Sequence, residues 1–358
     1  MISDELLKEI DRGREGLNQG ITTGLDKLDD LTGGNLPNNF IVILAQSGVG
    51  KSSLMLYSYF YKALRTHEND DNYFCYLFSL EMSATMVLGK VISTYLYEEF
   101  NVRLSINDIF SRKKNYTLSD ENYNLVLKGI EWIKKMESKF IIFDKSLNAE
   151  ILYTLLIKEL EKRGSFQETE NRKIYIPNNP NLLFNVIIDH ISLVMPSKGR
   201  DLKREIDLIT AYLVTLRNMT KLSPIIVQQV NREQSSMERR KQGLSEIRLS
   251  DSSDSADPTK AAEVVIAVFS PKKEKLNNYV GYDVSVLDDK LRAIQLLKGR
   301  YGIADVAIAC CFWGDINYWR ELPKAEHIQD YTNYLEPNFI PEPIETESVK
   351  IDINNFTL

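Results

Sequence analysis

Eight residues, Ala45-Gln-Ser-Gly-Val-Gly-Lys-Ser52, constrain this chain more than any other stretch, because of what flanks them. Before them runs Phe40-Ile-Val-Ile-Leu44, wholly apolar, as a strand covered on both faces requires. After them comes a helix-length segment, Ser53–Arg65. Gly48 and Gly50 let the backbone wrap an anion with its amide N–H groups inward, and a helix starting near Lys51 adds its positive end. In such a phosphate-binding loop the Lys51 ammonium reaches the β- and γ-phosphates and the Ser52 hydroxyl ligates Mg²⁺. Ala45, Gln46, Ser47, Val49 and Ser53 complete the expected nucleotide contacts; Ala45 occupies the position where Gly is commoner. The alternative is a glycine-rich turn that binds nothing. The strand before and the helix after argue against it.

Apolar runs of strand type recur at Tyr73–Phe78, Phe140–Phe143, Leu182–Ile188, Pro224–Val227, Val264–Phe269 and Leu291–Leu297. Helix-length segments lie between several of them: Ala84–Phe100, Asp120–Met136, Ala149–Arg163 and Asp201–Met219. Alternation of this kind predicts an α/β fold, a mostly parallel sheet with right-handed crossovers and helices on both faces. Residues 2–18 read as a short amphipathic helix with Ile2, Leu6, Ile10 and Leu17 on one face. Segments 165–181 and 232–260 read as polar, irregular loops, and the Pro- and Glu-rich end from Leu335 reads as extended or disordered. The expected organisation is a linker helix over 1–20, an ATPase domain over 21–322 and an acidic tail over 323–358.

The longest apolar run, Val306–Trp313, is far too short to span a bilayer, so no membrane helix is expected. The N-terminus is acidic and lacks the apolar region of a signal peptide. Cys75, Cys310 and Cys311 sit in apolar runs without metal-ligand spacing, which predicts reduced core thiols and a cytoplasmic protein. The 358 residues carry 44 Lys+Arg and 50 Asp+Glu, a formal net charge of -6. Taken alone that disfavours nucleic acid. The whole excess, however, lies after position 320, where eight acids face two lysines. The body is neutral.

A Mg²⁺-nucleotide site needs a further acid, and the apolar strand Leu182–Ile188 ends in Asp189, placed to hold the metal's water shell near Ser52. A turn or helix-capping aspartate is the bland alternative. Hydrolysis also needs a base to align water. Glu81 follows the strand Tyr73–Ser79 and would converge on the same edge, unless it is merely a solvated strand-end carboxylate. Gln229 ends the next strand; its amide could report on the γ-phosphate or simply cap a loop.

Taken together, these residues resemble the RecA-fold motor domain of DnaB-like replicative helicases of superfamily 4. Ile21-Thr-Thr-Gly-Leu-Asp-Lys-Leu-Asp-Asp-Leu-Thr-Gly-Gly34 is similar to the family's lead-in, and Phe78-Ser-Leu-Glu-Met82 to its Ser-Leu-Glu-Met motif. The resemblance implies that Glu81 is the catalytic base and that Ile187-Ile-Asp189 carries the Walker B aspartate. Gln229-Val-Asn-Arg232 looks like the sensor, and Lys298-Gly-Arg-Tyr-Gly302 like the hairpin that reaches into a neighbour's nucleotide. On that likeness Arg300 is an arginine finger acting in trans, Lys298 its companion, and the assembly a hexamer whose 2–18 helix docks on the adjacent subunit. The cofactors implied are ATP and Mg²⁺, the partner single-stranded DNA, and the process DNA replication in a bacterial or phage-infected cytoplasm.

Three departures stand out. About 20 residues precede the resemblance, so the family's helical N-terminal domain, which contacts primase, is not expected. The family's DNA-contact loop Leu-Arg-Glu-Ser-Gly aligns with Leu249-Ser-Asp-Ser-Ser253, where Ser250 and Ser252 are left to meet phosphates through hydroxyls and backbone N–H groups. Ala45 is the third. Lys198, Arg200, Lys203 and Arg204 follow the Asp189 strand, and Arg232, Arg239, Arg240 and Lys241 follow the sensor strand. Their positions point to sequence-tolerant, salt-dependent DNA binding. The acidic tail is expected to dock a replication partner, compete for the DNA channel or merely solubilise. Two rival readings stay open here: a RecA-type recombinase or DNA-stimulated ATPase that does not unwind, and an ATP-gated assembly protein without motor activity.

Overall fold

The computed structural model describes residues 2–168, 173–231, 239, 246–299 and 302–339. In chain order these form α1 (Ile2–Arg14), α2 (Asp26–Thr32), β1 (Ile41–Ala45) and α3 (Lys51–Met55), which runs through a π turn at Leu56–Tyr61 into α4 (Lys62–Thr66). Next come β2 (Tyr73–Ser79), α5 (Ala84–Phe100), α6 (Ile106–Ile109), α7 (Asp120–Met136), β3 (Phe140–Phe143), α8 (Ala149–Arg163), β4 (Gly164–Glu168) and β5 (Lys173–Pro177). The second half contributes β6 (Leu183–Asp189), α9 (Leu202–Thr220), β7 (Ser223–Gln229), α10 (Asp257–Ala261) and β8 (Val264–Phe269). It ends with β9 (Asn278–Tyr279), β10 (Tyr282–Asp283), α11 (Val284–Leu287), β11 (Leu291–Lys298), β12 (Val306–Trp313) and β13 (Tyr318–Glu321).

Nine strands form one sheet in the order β13-β12-β11-β8-β1-β7-β6-β2-β3. The six from β8 to β3 are parallel, and β11, β12 and β13 add antiparallel pairs on one side. Period-two alternation divides the apolar strands between two cores. Val42 and Leu44 pack with α8 and α9 on one face, while Ile41, Ile43 and Ala45 pack with α3, α5 and α7 on the other. Helix starts follow their capping side chains: Ser119 Oγ accepts from Asn122 N, Asn148 Oδ1 from Ile151 N and Asp201 Oδ1 from Arg204 N. The result is the mostly parallel α/β sheet that the sequence predicts, with every parallel strand's carboxyl end on one edge.

Three expectations need correcting, and one apolar run finds its place. The first helix stops at Arg14, followed by a turn in which Gly16 takes φ +77°. The supposed loop over 165–181 contains the hairpin β4–β5, paired from Gly164↔Pro177 to Glu168↔Lys173, with Phe166 packed 5.1 Å from Tyr175. Its alternation was hidden among polar residues. The apolar run Val306–Trp313, read above only for membrane spanning, is the antiparallel partner of β11 and is buried from Ile308 to Cys311. Finally, residues 323–339, which composition assigns to the tail, pack on the body. Tyr334 is buried, Trp313 Nε1 donates to the Leu335 carbonyl, and Arg320 donates to the carbonyls of Pro337 and Phe339. No helix among the described residues is long and apolar enough to cross a membrane. Cys75, Cys310 and Cys311 are buried free thiols, as their apolar surroundings predict.

Candidate functional site

The site forms where four parallel strands end. Ala45 of β1 lies in register with Gln229 of β7, and Ser79 of β2 with Asp189 of β6, so the loop after each strand opens on the same edge. Gly48 and Gly50 take φ +77° and +111°, left-handed backbone that favours glycine. Nothing lies within 4 Å of a Cβ built on Gly48, whereas one on Gly50 would come 3.0 Å from Trp319 and 3.2 Å from Phe312. The loop is therefore open in front and packed behind. Lys51 opens α3 and is buried.

Ser52 Oγ donates to Asp189 Oδ1 at 2.9 Å. The other carboxylate oxygen, Oδ2, is buried with no hydrogen-bond partner. Burial pushes the Asp189 carboxyl up to about 6, against the opposing pull of Ser52 and Lys51. An anionic oxygen without a donor beside a serine hydroxyl fits a hard divalent cation such as Mg²⁺, which is held by few protein oxygens, water and phosphate. Glu81 sits with its carboxylate 3.8 Å from Lys51 Nζ and 4.0 Å from His190 Nε2. Its side chain is 48% exposed, accessible to water. The Gln229 side chain makes no hydrogen bond within the described residues, while its backbone carbonyl accepts from Ser253 N.

Sequence reasoning missed several neighbours. His190 is buried, and burial and Lys51 lower its pKa, so it is neutral beside Glu81. Burial lowers the pKa of Lys90 on α5, offset in part by the charges of Asp189 and Glu81. Around the phosphate loop, Arg292 Nε donates to the Val49 carbonyl at 2.8 Å, Lys273 Nζ donates to the Ser47 carbonyl, and Gln46 Nε2 donates to Glu274 at 2.7 Å. A charged residue inside the apolar strand Leu291–Leu297 was the one available signal, since a buried guanidinium demands partners.

Lys298 lies elsewhere. It ends β11, which runs antiparallel to β8, and its register partner is Val265, beside Val42 near the start of β1. That is three residues, about 10 Å, back from the loop along the strands, and Lys298 Nζ donates to the carbonyls of Thr259 and Lys260. Lys298 and Gly299 thus occupy the opposite edge of the sheet from their own phosphate loop. Arg300 lies outside the described residues.

The basic residues divide by pairing. Arg200 is held by Glu150 and Glu205, and Lys203 by Asp207 at 2.6 Å, whereas Lys198 and Arg204 form no ion pair within the described residues. Arg239 pairs with buried Asp251 at 2.7 Å. Arg232, Arg240 and Lys241 lie outside the described residues. Ser250 is exposed, and Ser252 forms a bridge with Val230. Ser192 Oγ donates to Asp254 at 2.6 Å, joining the loop after β6 to the one after β7.

Comparison with known proteins follows this geometry. A family model of the DnaB-like helicase C-terminal domain matches residues 20–312. The chain is 27% identical over 227 residues to the replicative DNA helicase DnaB of Buchnera aphidicola subsp. Baizongia pistaciae, covering 62% of this chain and 41% of that protein. It is 24% identical over 251 residues to DnaB of Helicobacter pylori, covering 70% and 43%. The chain therefore spans less than half the length of these curated relatives. Among solved structures, an isolated ATPase domain superposes with a TM-score of 0.68 at 20% identity, over 90% of this chain and 99% of that one. A DnaB-like replicative helicase studied for its interactions with primase gives 0.66 at 20%, over 89% and 68%. These likenesses establish the RecA-like fold.

Proposed function

The chain belongs to the DnaB-like helicase C-terminal domain family, and from that membership we propose that it hydrolyses ATP to translocate along single-stranded DNA and unwind duplex during replication. The observation that carries the proposal is the convergence of an open phosphate loop, the Ser52–Asp189 pair and Glu81 on one sheet edge. The Gly48, Gly50 and Lys51 amides and the Lys51 ammonium bind the phosphates. Ser52 and Asp189 would hold Mg²⁺, which on binding neutralises phosphate charge. Glu81 accepts a proton from the attacking water and orients it, and its exposure leaves it reachable by solvent. Gln229, at the end of β7, reads the γ-phosphate.

Lys298 and Gly299 stand at the edge away from their own loop, so the transition-state cation of this hairpin serves another subunit's site. Arg300 of a neighbouring copy supplies it, with Lys298 alongside. This requires a homo-oligomer, a hexameric ring, and α1 is suited to join its copies. Leu6, Leu7 and Ile10 of that helix are exposed. Single-stranded DNA runs past the linked loops after β6 and β7, where Lys198, Arg204, Ser250 and Ser252 meet its phosphates. The acidic segment beyond the packed body docks a replication partner.

The test is a strand-displacement assay on a forked duplex together with ATPase rates with and without single-stranded DNA. Unwinding and a rate that rises with DNA support the proposal. Strand exchange without displacement, or a rate indifferent to DNA at low salt, would refute it.

A further inference from the structure

We propose that Arg292 and Lys273 are positioning residues for the phosphate loop: by holding the Val49 and Ser47 carbonyls outward, they aim the Gly50 and Gly48 amides at the nucleotide's phosphates. The proposal deepens the ATP-hydrolysis reading and rests on it.

The peptide bond sets the geometry. Because it is planar and trans, the carbonyl of one residue and the N–H of the next point in opposite directions. Arg292 Nε donates to Val49 O at 2.8 Å from the packed side of the loop, so the Gly50 N–H is turned the other way. Lys273 Nζ donates to Ser47 O, and the Gly48 N–H is likewise turned away from it. Glycine backbone is permissive, and a loop with two glycines otherwise samples orientations that waste its donors. Fixing the outward carbonyls leaves the inward amides ready for charge.

The two anchors are held differently. Arg292 is buried, and its remaining donors reach the carbonyls of Asp289 and Leu291 and the Asp289 carboxylate at 3.1 Å. Its guanidinium also lies 5.5 Å from the Phe312 ring, which packs with Trp319 behind Gly50. Of these partners, only the Val49 carbonyl belongs to the phosphate loop. Lys273 is different, because it sits on an exposed turn with water as an alternative partner. Burial does not compel its contact with Ser47. The same turn is tied down by Gln46 donating to Glu274 at 2.7 Å. Two cations from different segments thus meet alternate carbonyls of one loop.

The test uses the full chain, with Lys273→Met and Arg292→Lys, and measures ATP KM, kcat, ADP affinity and thermal midpoint. Lysine at 292 keeps the charge but loses the guanidinium fork. Each variant is expected to raise KM for ATP and Kd for ADP about tenfold, the scale of one charge-assisted hydrogen bond. kcat should fall less than about threefold, because ground and transition states share these donors. Lys273→Met should keep its midpoint, and it decides the matter alone if Arg292→Lys does not fold. KM and ADP Kd within twofold of wild type, or a fall in kcat with KM unmoved, overturn the proposal. Wild-type protein that binds neither ATP nor ADP overturns the ATP reading beneath it, a separate failure visible before any variant is made.

Discussion

Ser52 and Asp189, 137 positions apart, meet through a 2.9 Å hydrogen bond that ties the first turn of α3 to the carboxyl end of β6. The pair leaves one Asp189 oxygen buried and without a donor. A buried carboxylate of this kind is costly to the protein, and that cost can be measured.

Burial raises the Asp189 carboxyl to about 6 in the folded chain, above its ordinary 3.8. Between about pH 4 and 6 the folded state therefore holds the proton more tightly than the unfolded state. Stability of the metal-free protein falls as pH rises through that window and stays low above it. Asp189→Asn should remove the fall and stabilise the metal-free protein at pH 7.5, by on the order of 3 kcal/mol at most, while matching wild type near pH 4. Urea unfolding in EDTA at the two pH values checks this. The same variant should lose ATP hydrolysis.

Glu81 is set apart from phosphate binding by its role. Glu81→Gln keeps the shape but cannot take a proton, so kcat should fall about 10²- to 10⁴-fold. ATP affinity should change by less than about threefold, because the carboxylate is 3.8 Å from Lys51 and does not shape the loop. Single-turnover hydrolysis with a parallel nucleotide-binding titration separates the two effects.

Much of this was legible before the structure because the chemistry is local. A phosphate loop must follow a strand and open a helix; Asp189 and Gln229 end strands, and Glu81 follows one, whose apolar runs are easily read. Helices α5, α7 and α8 matched their expected bounds, with Asn148 and Ser119 accepting caps at two of the starts. Other features depended on contacts distant in sequence. Arg292 finds Val49 across 243 positions and Lys273 finds Ser47 across 226, distances at which no spacing rule operates. The hairpin β4–β5 escaped notice because only Phe166, Ile174, Tyr175 and Ile176 interrupt polar residues.

Ion pairing separates the cations after β6. Lys198→Ala and Arg204→Ala should each weaken single-stranded DNA binding and flatten the dependence of log K on log salt by about 0.7. Arg200→Ala and Lys203→Ala remove cations already held by Glu150, Glu205 and Asp207 and should change that slope by less. Fluorescence anisotropy across a salt series gives both numbers.

The packed body extends beyond the point where acidic composition begins. A chain ending after 339 serves as the reference. Ending it after 322 removes buried Ile328 and Tyr334 and strips Trp313 and Arg320 of their acceptors. That should cost several kcal/mol at roughly 1.5–3 per buried side chain. Thermal melts of the two truncations give the comparison.

In the proposed mechanism a neighbouring copy completes each site. Lys51→Ala spoils a subunit's own phosphate loop, and Arg300→Ala spoils what it lends. Each variant alone should show little DNA-stimulated ATPase. Mixed, they form interfaces that join an intact loop to an intact Arg300, and the rate should rise well above the sum of the two. An Arg300→Ala protein that hydrolyses ATP like wild type, or a mixture no faster than its parts, would contradict it.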